Sequence, residues 1–124
     1  VKNRFLHYLM IEQEDNIFLG KRKSGIWNGL YEFPFLEFPI KMNEKQVMQS
    51  NEWSKVFFDS KCDVKSVSSE FIHILSHQKI HAQFWQINTG GVVLKEYELI
   101  SKNNLFKFPI SRLTEKYFET IELT

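Results

Sequence analysis

The order of apolar and polar positions divides the first third of the chain into extended segments. Residues 3–13 are rich in aliphatic and aromatic side chains and lack a helix cap, so they predict a largely buried strand. The turn sequence Glu-Asp-Asn at 14–16 leads into a return strand at 16–21. A loop is predicted at 21–29. Residues 30–38 are predicted to be extended, because prolines within and just after them disfavour helix.

Two later segments carry the signals of helices. In residues 43–58, Asn43 is a good N-cap and Gln46 can complete a capping box, but the apolar stripe is broken near residues 50–51. This segment therefore predicts one long helix or two short ones. Residues 111–121 begin with an N-cap serine, and their apolar positions recur at helical spacing, which predicts a terminal amphipathic helix.

Between the helices, residues 67–75 and 79–88 predict two strands joined by a tight connection, and residues 97–101 a short edge strand or irregular segment. The strand at 79–88 alternates, so that one face carries Ile80, Ala82 and Phe84 and the other carries His81, Gln83 and Trp85. The order of elements predicts an α+β domain, a mixed β-sheet with two helical segments packed on it. The residues expected to be largely buried are Leu30, Phe33, Val56, Phe57, Phe84, Leu113 and Tyr117.

Composition narrows the class of protein. The chain has 124 residues, 43% hydrophobic and 25% charged, which is typical of one folded domain. The net charge of +1 excludes binding to nucleic acid by bulk charge but leaves room for a local basic face. A single cysteine excludes a disulfide framework and a cysteine-ligated iron–sulfur cluster within this chain. Since the chain lacks an initiator methionine and begins at once with a strand pattern, we expect a domain excised from a larger protein.

Three groups of residues are candidates for chemistry or binding. His73, His77 and His81 recur at a spacing of four, but they fall across two strands and a turn, so their side chains should diverge; zinc binding is the less favoured alternative. The basic run Lys21, Arg22 and Lys23 fits either a phosphate contact or a solvated hairpin end. The Ser76-His77 connection presents a hydroxyl and an imidazole at a hairpin tip, or is simply a turn. Cys62 is expected to be an inert thiol.

Three segments, in order and spread over nearly the whole chain, resemble one family. GIWNGLYEFP at 25–34, HILSH at 73–77 and FPISRLTEKY at 108–117 are similar to the C-terminal domain of the A/G-specific adenine DNA glycosylases, the MutY family. The first motif is shared with Nudix hydrolases, and the other two favour the glycosylase domain. The resemblance implies a Nudix-like fold for the whole of residues 1–124 and a role in base excision repair.

In that family the domain reads the 8-oxoguanine opposite the target adenine and performs no reaction itself. The resemblance therefore implies that Ser76, then His77, approach the oxidised base; Leu75 stands where the family has phenylalanine. Lys21, Arg22 and Lys23 are the predicted phosphate contacts. The expected partners are double-stranded DNA with an 8-oxoguanine:adenine mispair and an N-terminal catalytic domain that carries a 4Fe–4S cluster and excises the adenine. We expect no cofactor in this chain, no membrane association and a cytoplasmic location.

Two alternatives keep the same fold, a divergent Nudix hydrolase of a modified nucleotide and a protein-interaction module. A Nudix box begins just after the Phe-Pro pair, and its metal-binding glutamate pair would fall on Trp53-Ser54 or on Ser54-Lys55. Neither register supplies a carboxylate, and no Arg-Glu pair occurs anywhere in the chain. Because magnesium needs hard oxygen ligands, the sequence favours the lesion-recognition module.

Overall fold

A computed structural model describes residues 1–58 and 60–121. The elements in chain order are β1 (Lys2–Gln13), β2 (Asn16–Lys21), β3 (Tyr31–Glu32), β4 (Phe35–Phe38), α1 (Glu44–Met48), α2 (Asn51–Phe57), β5 (Cys62–Val67), β6 (Phe71–Ile74), β7 (Gln78–Thr89), β8 (Glu98–Ser101), a 3₁₀ helix (Lys102–Lys107) and α3 (Arg112–Phe118). The predicted α+β mixed sheet is confirmed.

Two long strands form the middle of the sheet. β1 and β7 run parallel, in register from the Lys2–Gln78 pair to the Glu12–Asn88 pair. The other edge of β1 pairs antiparallel with β4 near its start and with β2 near its end. The other edge of β7 pairs antiparallel with β6 near its start and with β5 near its end. β2 also pairs with β3 and β8, so six shorter strands are arranged around the central pair.

The two faces of the sheet bury separate cores. The first core lies on one face, where Phe84 stacks between Tyr8 and Tyr117, with ring centroids 5.1 and 4.3 Å away. The second core lies on the other face, where Trp85 packs against Trp53 of α2, with ring centroids 5.2 Å apart. Since side chains alternate along a strand, the pattern of β7 separates Phe84 from Trp85 as predicted. The sheet therefore lies between α1 and α2 on one side and α3 on the other.

The helix caps follow the sequence closely. The Asn43 side chain accepts from the Gln46 amide at 2.8 Å, and the Gln46 side chain accepts from the Asn43 amide at 2.9 Å, so the predicted capping box is present. The Ser50 hydroxyl accepts from the Trp53 amide at 3.1 Å and starts α2. The second alternative, two short helices, is therefore correct. α3 starts after its predicted N-cap, Ser111.

Two predicted element boundaries need correction. The single strand predicted at 67–75 is wrong, because β5 ends at Val67 and β6 begins at Phe71. Ser68 ends the pairing, since its hydroxyl accepts from the Phe84 amide at 2.9 Å in place of a backbone carbonyl. The helix predicted at 111–121 is shorter, because α3 ends at Phe118. Just after it, the Thr120 amide donates to the carbonyl of Tyr117, three residues back, at 2.9 Å instead of continuing the α-helical pattern.

Burial agrees with prediction at five of the seven positions expected to be buried; Leu30 and Val56 are only half-buried. Leu30 belongs to the segment that precedes β3, where its amide donates to the Trp27 carbonyl at 3.0 Å, and Val56 of α2 packs partly against the second core. β5 and the 3₁₀ helix were not predicted from the sequence; within the 3₁₀ helix, Leu105 is the one fully buried residue.

A buried histidine links the stability of this fold to pH. His7 lies in β1 with 3% of its surface exposed, and its Nδ1 accepts a hydrogen bond of 3.1 Å from the Trp85 indole N–H. Burial lowers the pKa of His7 to about 4. The unfolded chain takes up this proton near pH 6.5, so the contribution of neutral His7 is complete above that pH and is lost progressively from about pH 6.5 to 4.

We therefore expect the wild-type free energy of unfolding to fall by about 2 kcal/mol more than that of His7→Gln between pH 7 and pH 4.5. Glutamine can still accept from Trp85 but does not titrate. Urea unfolding at the two pH values measures the difference. Equal losses in both proteins would show that His7 is not the group responsible.

Candidate nucleic-acid interface

Strand directions bring the candidate segments to one end of the sheet. β1 and β7 are parallel, so both begin at the same end, and the β6–β7 turn (residues 75–78) lies there. β2 pairs antiparallel with β1 at Glu12–Ile17 and Gln13–Asn16, so β2 runs toward this end, and the Trp27–His73 contact brings the loop at 22–29 to the hairpin. We call this end, defined by the starts of β1 and β7, the lower end of the sheet.

Backbone and side-chain hydrogen bonds fix the β6–β7 turn from two sides. The Leu75 amide donates to the Gln78 carbonyl at 2.8 Å and closes the turn. From the neighbouring strand, the Lys2 amide donates to the His77 carbonyl at 3.0 Å. The side chains of Ser76 and His77 are exposed. The turn thus presents a hydroxyl and an imidazole to solvent from a backbone that is already held in place.

Arg4 gives the turn a further support. Its Nη1 donates to the Gln78 side-chain oxygen at 3.2 Å, and its Nε and Nη2 donate to the two Glu37 carboxylate oxygens at 2.8 and 2.7 Å. The hydrogen bond from Arg4 lowers the pKa of Glu37, which keeps the carboxylate charged. A two-bond contact of this kind fixes the direction of the guanidinium. Arg4 therefore orients Gln78, the last residue of the turn.

Trp27 connects the 22–29 loop to the same hairpin. Its ring meets His73 of β6 edge-on, with ring centroids 5.4 Å apart. Trp27 and Leu75 are both half-buried and pack against the first core. Leu75 thus serves as an apolar anchor beneath the turn, while Ser76 and His77 point outward. The structure brings together the loop and the hairpin that the sequence analysis selected separately.

The 22–29 loop is closed at its base. The Arg22 amide donates to the Leu30 carbonyl and the Gly29 amide donates to the Arg22 carbonyl, both at 2.9 Å. Gly25 and Gly29 have φ values of 74° and 88°, a region that favours glycine. The Arg22 Nε donates to the Ile26 carbonyl at 2.8 Å across the loop. The loop is therefore an ordered element rather than an open connection.

The three predicted phosphate contacts are placed differently from one another. Arg22 also donates to both oxygens of Glu32, at 3.1 and 3.2 Å, so its guanidinium is engaged within the protein. Lys21 and Lys23 are exposed. All three line a cleft of about 690 Å³, together with Lys95 and Tyr97 from the segment that precedes β8. Lys21 and Lys23 are thus available to a ligand, whereas Arg22 shapes the loop that carries Lys23.

The three clustered histidines diverge, as predicted. His73 pairs with Ile80 and faces the first core, whereas His81 lies on the opposite face, with nitrogen–oxygen distances of 3.1 Å to Glu70 and 2.9 Å to Asn3. Among residues 1–58 and 60–121, no group of three or more His, Cys, Asp or Glu side chains could hold a metal ion. Cys62 is half-buried, and burial, aided by Asp63, raises the pKa of its thiol.

The helical segment that would carry a Nudix box supports the core instead. Trp53 is buried and packs against Phe57, with ring centroids 4.4 Å apart, as well as against Trp85. Ser54 and Lys55 are exposed and carry no carboxylate. The segment is also interrupted between α1 and α2. The positions where metal-binding glutamates would fall therefore hold a core tryptophan, a serine and a lysine.

The fold and these sequence features define the class of protein. The family model for the NUDIX domain matches residues 7–120, so this chain belongs to the NUDIX domain family. Comparison with curated protein sequences gives no match. Within the described residues, no helix is both long and apolar enough to cross a membrane.

Solved structures share the fold at low sequence identity. The C-terminal domain of mouse MUTYH, solved in complex with human PCNA, has a TM-score of 0.69 and 17% identity, over 94% of this chain and 85% of that one. The E. coli ORF135 protein has a TM-score of 0.67 and 18% identity, over 96% and 88%. The MutT NUDIX hydrolase of Burkholderia pseudomallei has a TM-score of 0.64 and 12% identity, over 98% and 100%. The expected Nudix-like fold is confirmed.

The contacts of Arg22 predict a structural role that its neighbours lack. Burial raises the pKa of Glu32 while Arg22 opposes this, so Arg22→Ala leaves a half-buried carboxylate without its partner. We expect Arg22→Ala to lower the free energy of unfolding by about 2 kcal/mol, and Lys21→Ala and Lys23→Ala to change it by less than about 0.5 kcal/mol.

Urea unfolding of the three variants measures this difference. Adding Glu32→Gln to Arg22→Ala should recover part of the loss, because the unpartnered charge is then removed. An Arg22→Ala protein as stable as the wild type would contradict the assignment.

Proposed function

We propose that this chain is a lesion-recognition module that reads 8-oxoguanine opposite adenine in duplex DNA, as the C-terminal domain of a MutY-type adenine glycosylase does. The observation that carries the proposal is the β6–β7 turn, whose exposed Ser76 and His77 rest on a backbone bonded to Lys2 and supported by Arg4. A turn held in this way can offer fixed donors and acceptors to a base edge. The match in fold to the MUTYH domain supports the proposal.

The chemistry of the lesion explains how such a turn would discriminate. Guanine presents acceptors at N7 and O6 in the major groove. Oxidation at C8 turns N7 into an N–H donor and adds an acceptor, O8. The Ser76 hydroxyl can accept from N7–H, and a backbone N–H of the turn can donate to O8. With guanine, the amide loses its partner, whereas the hydroxyl can rotate and donate to N7. Ser76 alone therefore gives modest discrimination.

Lys21 and Lys23 are the proposed phosphate contacts of the loop, and Arg22 is proposed to position them. Phosphate contacts set the register of a protein on the duplex and do not report the base. The loop reaches the hairpin through the Trp27–His73 contact, so both kinds of contact would be made from the lower end of the sheet. The lesion and its neighbouring backbone would thus meet one continuous surface.

The excision reaction falls outside this chain in our proposal. A 4Fe–4S cluster needs four cysteine ligands, and the chain has only Cys62, so its residues do not fit that group. We therefore assign the cluster and the removal of adenine to a separate catalytic domain, which is the proposed protein partner. The 124-residue chain contributes recognition.

A nucleotide hydrolase is the alternative, because MutT hydrolases share the fold. The buried Trp53 and the exposed Ser54 and Lys55 at the box positions weigh against it. Release of pyrophosphate from 8-oxo-dGTP by the purified chain, dependent on magnesium and abolished by a chelator, would favour the hydrolase and contradict our proposal.

The proposed readout predicts a specific effect of Ser76→Ala. We expect this variant to lose part of the preference for the 8-oxoguanine:adenine duplex over the guanine:adenine duplex, by about 1 kcal/mol or roughly fivefold. Its dependence on salt should stay unchanged, because no phosphate contact is removed. Binding titrations of both duplexes at several salt concentrations provide the measurement.

Ser69→Ala is the matched control, since Ser69 is exposed and lies in the β5–β6 connection, away from the turn. It should leave the preference unchanged. If Ser76→Ala lowers both affinities equally, Ser76 does not read the base. If the wild-type chain binds neither duplex, recognition by this module is ruled out.

A further inference from the structure

Two lysines lie beside the β6–β7 turn in the register of the sheet. Lys2 pairs with Gln78, the last residue of the turn. Lys79 is the next residue along β7, where it pairs with Asn3 on one side and with Ile74 on the other. Both lysines are therefore immediate neighbours of the turn that carries Ser76. They are distant from each other in sequence, and only the parallel pairing of β1 with β7 brings them together.

The two lysines occupy opposite faces of the sheet. Lys2 shares its face with Leu6, which belongs to the first core, because both are even positions of β1. Lys79 shares its face with Trp85 of the second core, both being odd positions of β7. Lys2 is exposed and Lys79 is half-buried. Their side chains thus leave the sheet on the two sides of the turn.

The carboxylates near these lysines have other partners. Glu37 accepts both of its short hydrogen bonds from Arg4, although Lys2 is close enough to help lower its pKa. Glu70, which precedes β6, lies 3.1 Å from His81 Nδ1 and 3.8 Å from Lys41. The ammonium groups of Lys2 and Lys79 are therefore placed to meet an external anion.

We propose that Lys2 and Lys79 contact the DNA phosphates on either side of the base read by Ser76. This inference rests on the proposed function and adds the backbone contacts nearest to the lesion. Lys21 ends β2, and β2 pairs with β1 at Glu12 and Gln13, at the end of β1 opposite to Lys2, so Lys21 would reach phosphates further from the read base. Lysine binds phosphate as a point charge and tolerates the small adjustments that a DNA backbone requires.

The test uses the 124-residue chain with Lys2→Gln and Lys79→Gln, and with Lys61→Gln as the control. Lys61 is also exposed, but it precedes β5 at the opposite end of the sheet, where Cys62 pairs with Thr89. Each protein is titrated with the 8-oxoguanine:adenine and guanine:adenine duplexes at several salt concentrations. Urea unfolding of each variant confirms that the fold is intact.

We expect each of the two variants to bind both duplexes roughly fivefold more weakly at low salt and to reduce the log–log salt slope by about 1. The preference of both variants for 8-oxoguanine should match that of the wild type. The affinities and the salt slope of Lys61→Gln should also match those of the wild type. Unchanged slopes, in a wild-type chain whose preference still depends on Ser76, would overturn this inference alone. Failure of the wild type to bind either duplex would overturn it together with the proposed function.

Discussion

β1 and β7 run parallel along their whole length, although 64 residues lie between the end of β1 at Gln13 and the start of β7 at Gln78. This pairing sets the positions of the other elements. It places β4 and β2 on one flank and β6 and β5 on the other, and it separates the cores that α3 and the α1–α2 pair cover. It also puts the β6–β7 turn against the first residues of β1, where Lys2 and Arg4 bond to it. Packing of the core and presentation of the turn thus depend on one strand pair.

The elements that the sequence predicted correctly are those defined by local chemistry. The Asn43 and Ser111 caps, the alternation in β7 and the hairpin of β1 with β2 each depend on neighbours within a few residues. The strand at 67–75 was predicted wrongly because the signal that divides it is not local: Ser68 bonds to Phe84, sixteen residues away.

The candidate site was predictable in part. Ser76 and His77 could be chosen from the resemblance, and Lys21, Arg22 and Lys23 from their charge. The internal role of Arg22 could not, since its partner Glu32 lies ten residues further on in another strand. Nor could Lys2, Arg4 and Lys79 be associated with the turn, because the sequence of neither strand shows which residues of β1 and β7 lie side by side. Distant residues assembled by the sheet are therefore the part of the site that only the structure supplies.

The most direct test of the account is to locate where the chain distinguishes the lesion. Amide spectra of the ¹⁵N-labelled chain are recorded during titration with an 8-oxoguanine:adenine duplex and, separately, with a guanine:adenine duplex. The account predicts that the shift differences between the two titrations are largest for the amides of Ser76 and His77, while the amides of Glu96 and Tyr97 in the cleft respond alike. Differences concentrated in the cleft, or none at all, would contradict recognition by the β6–β7 turn.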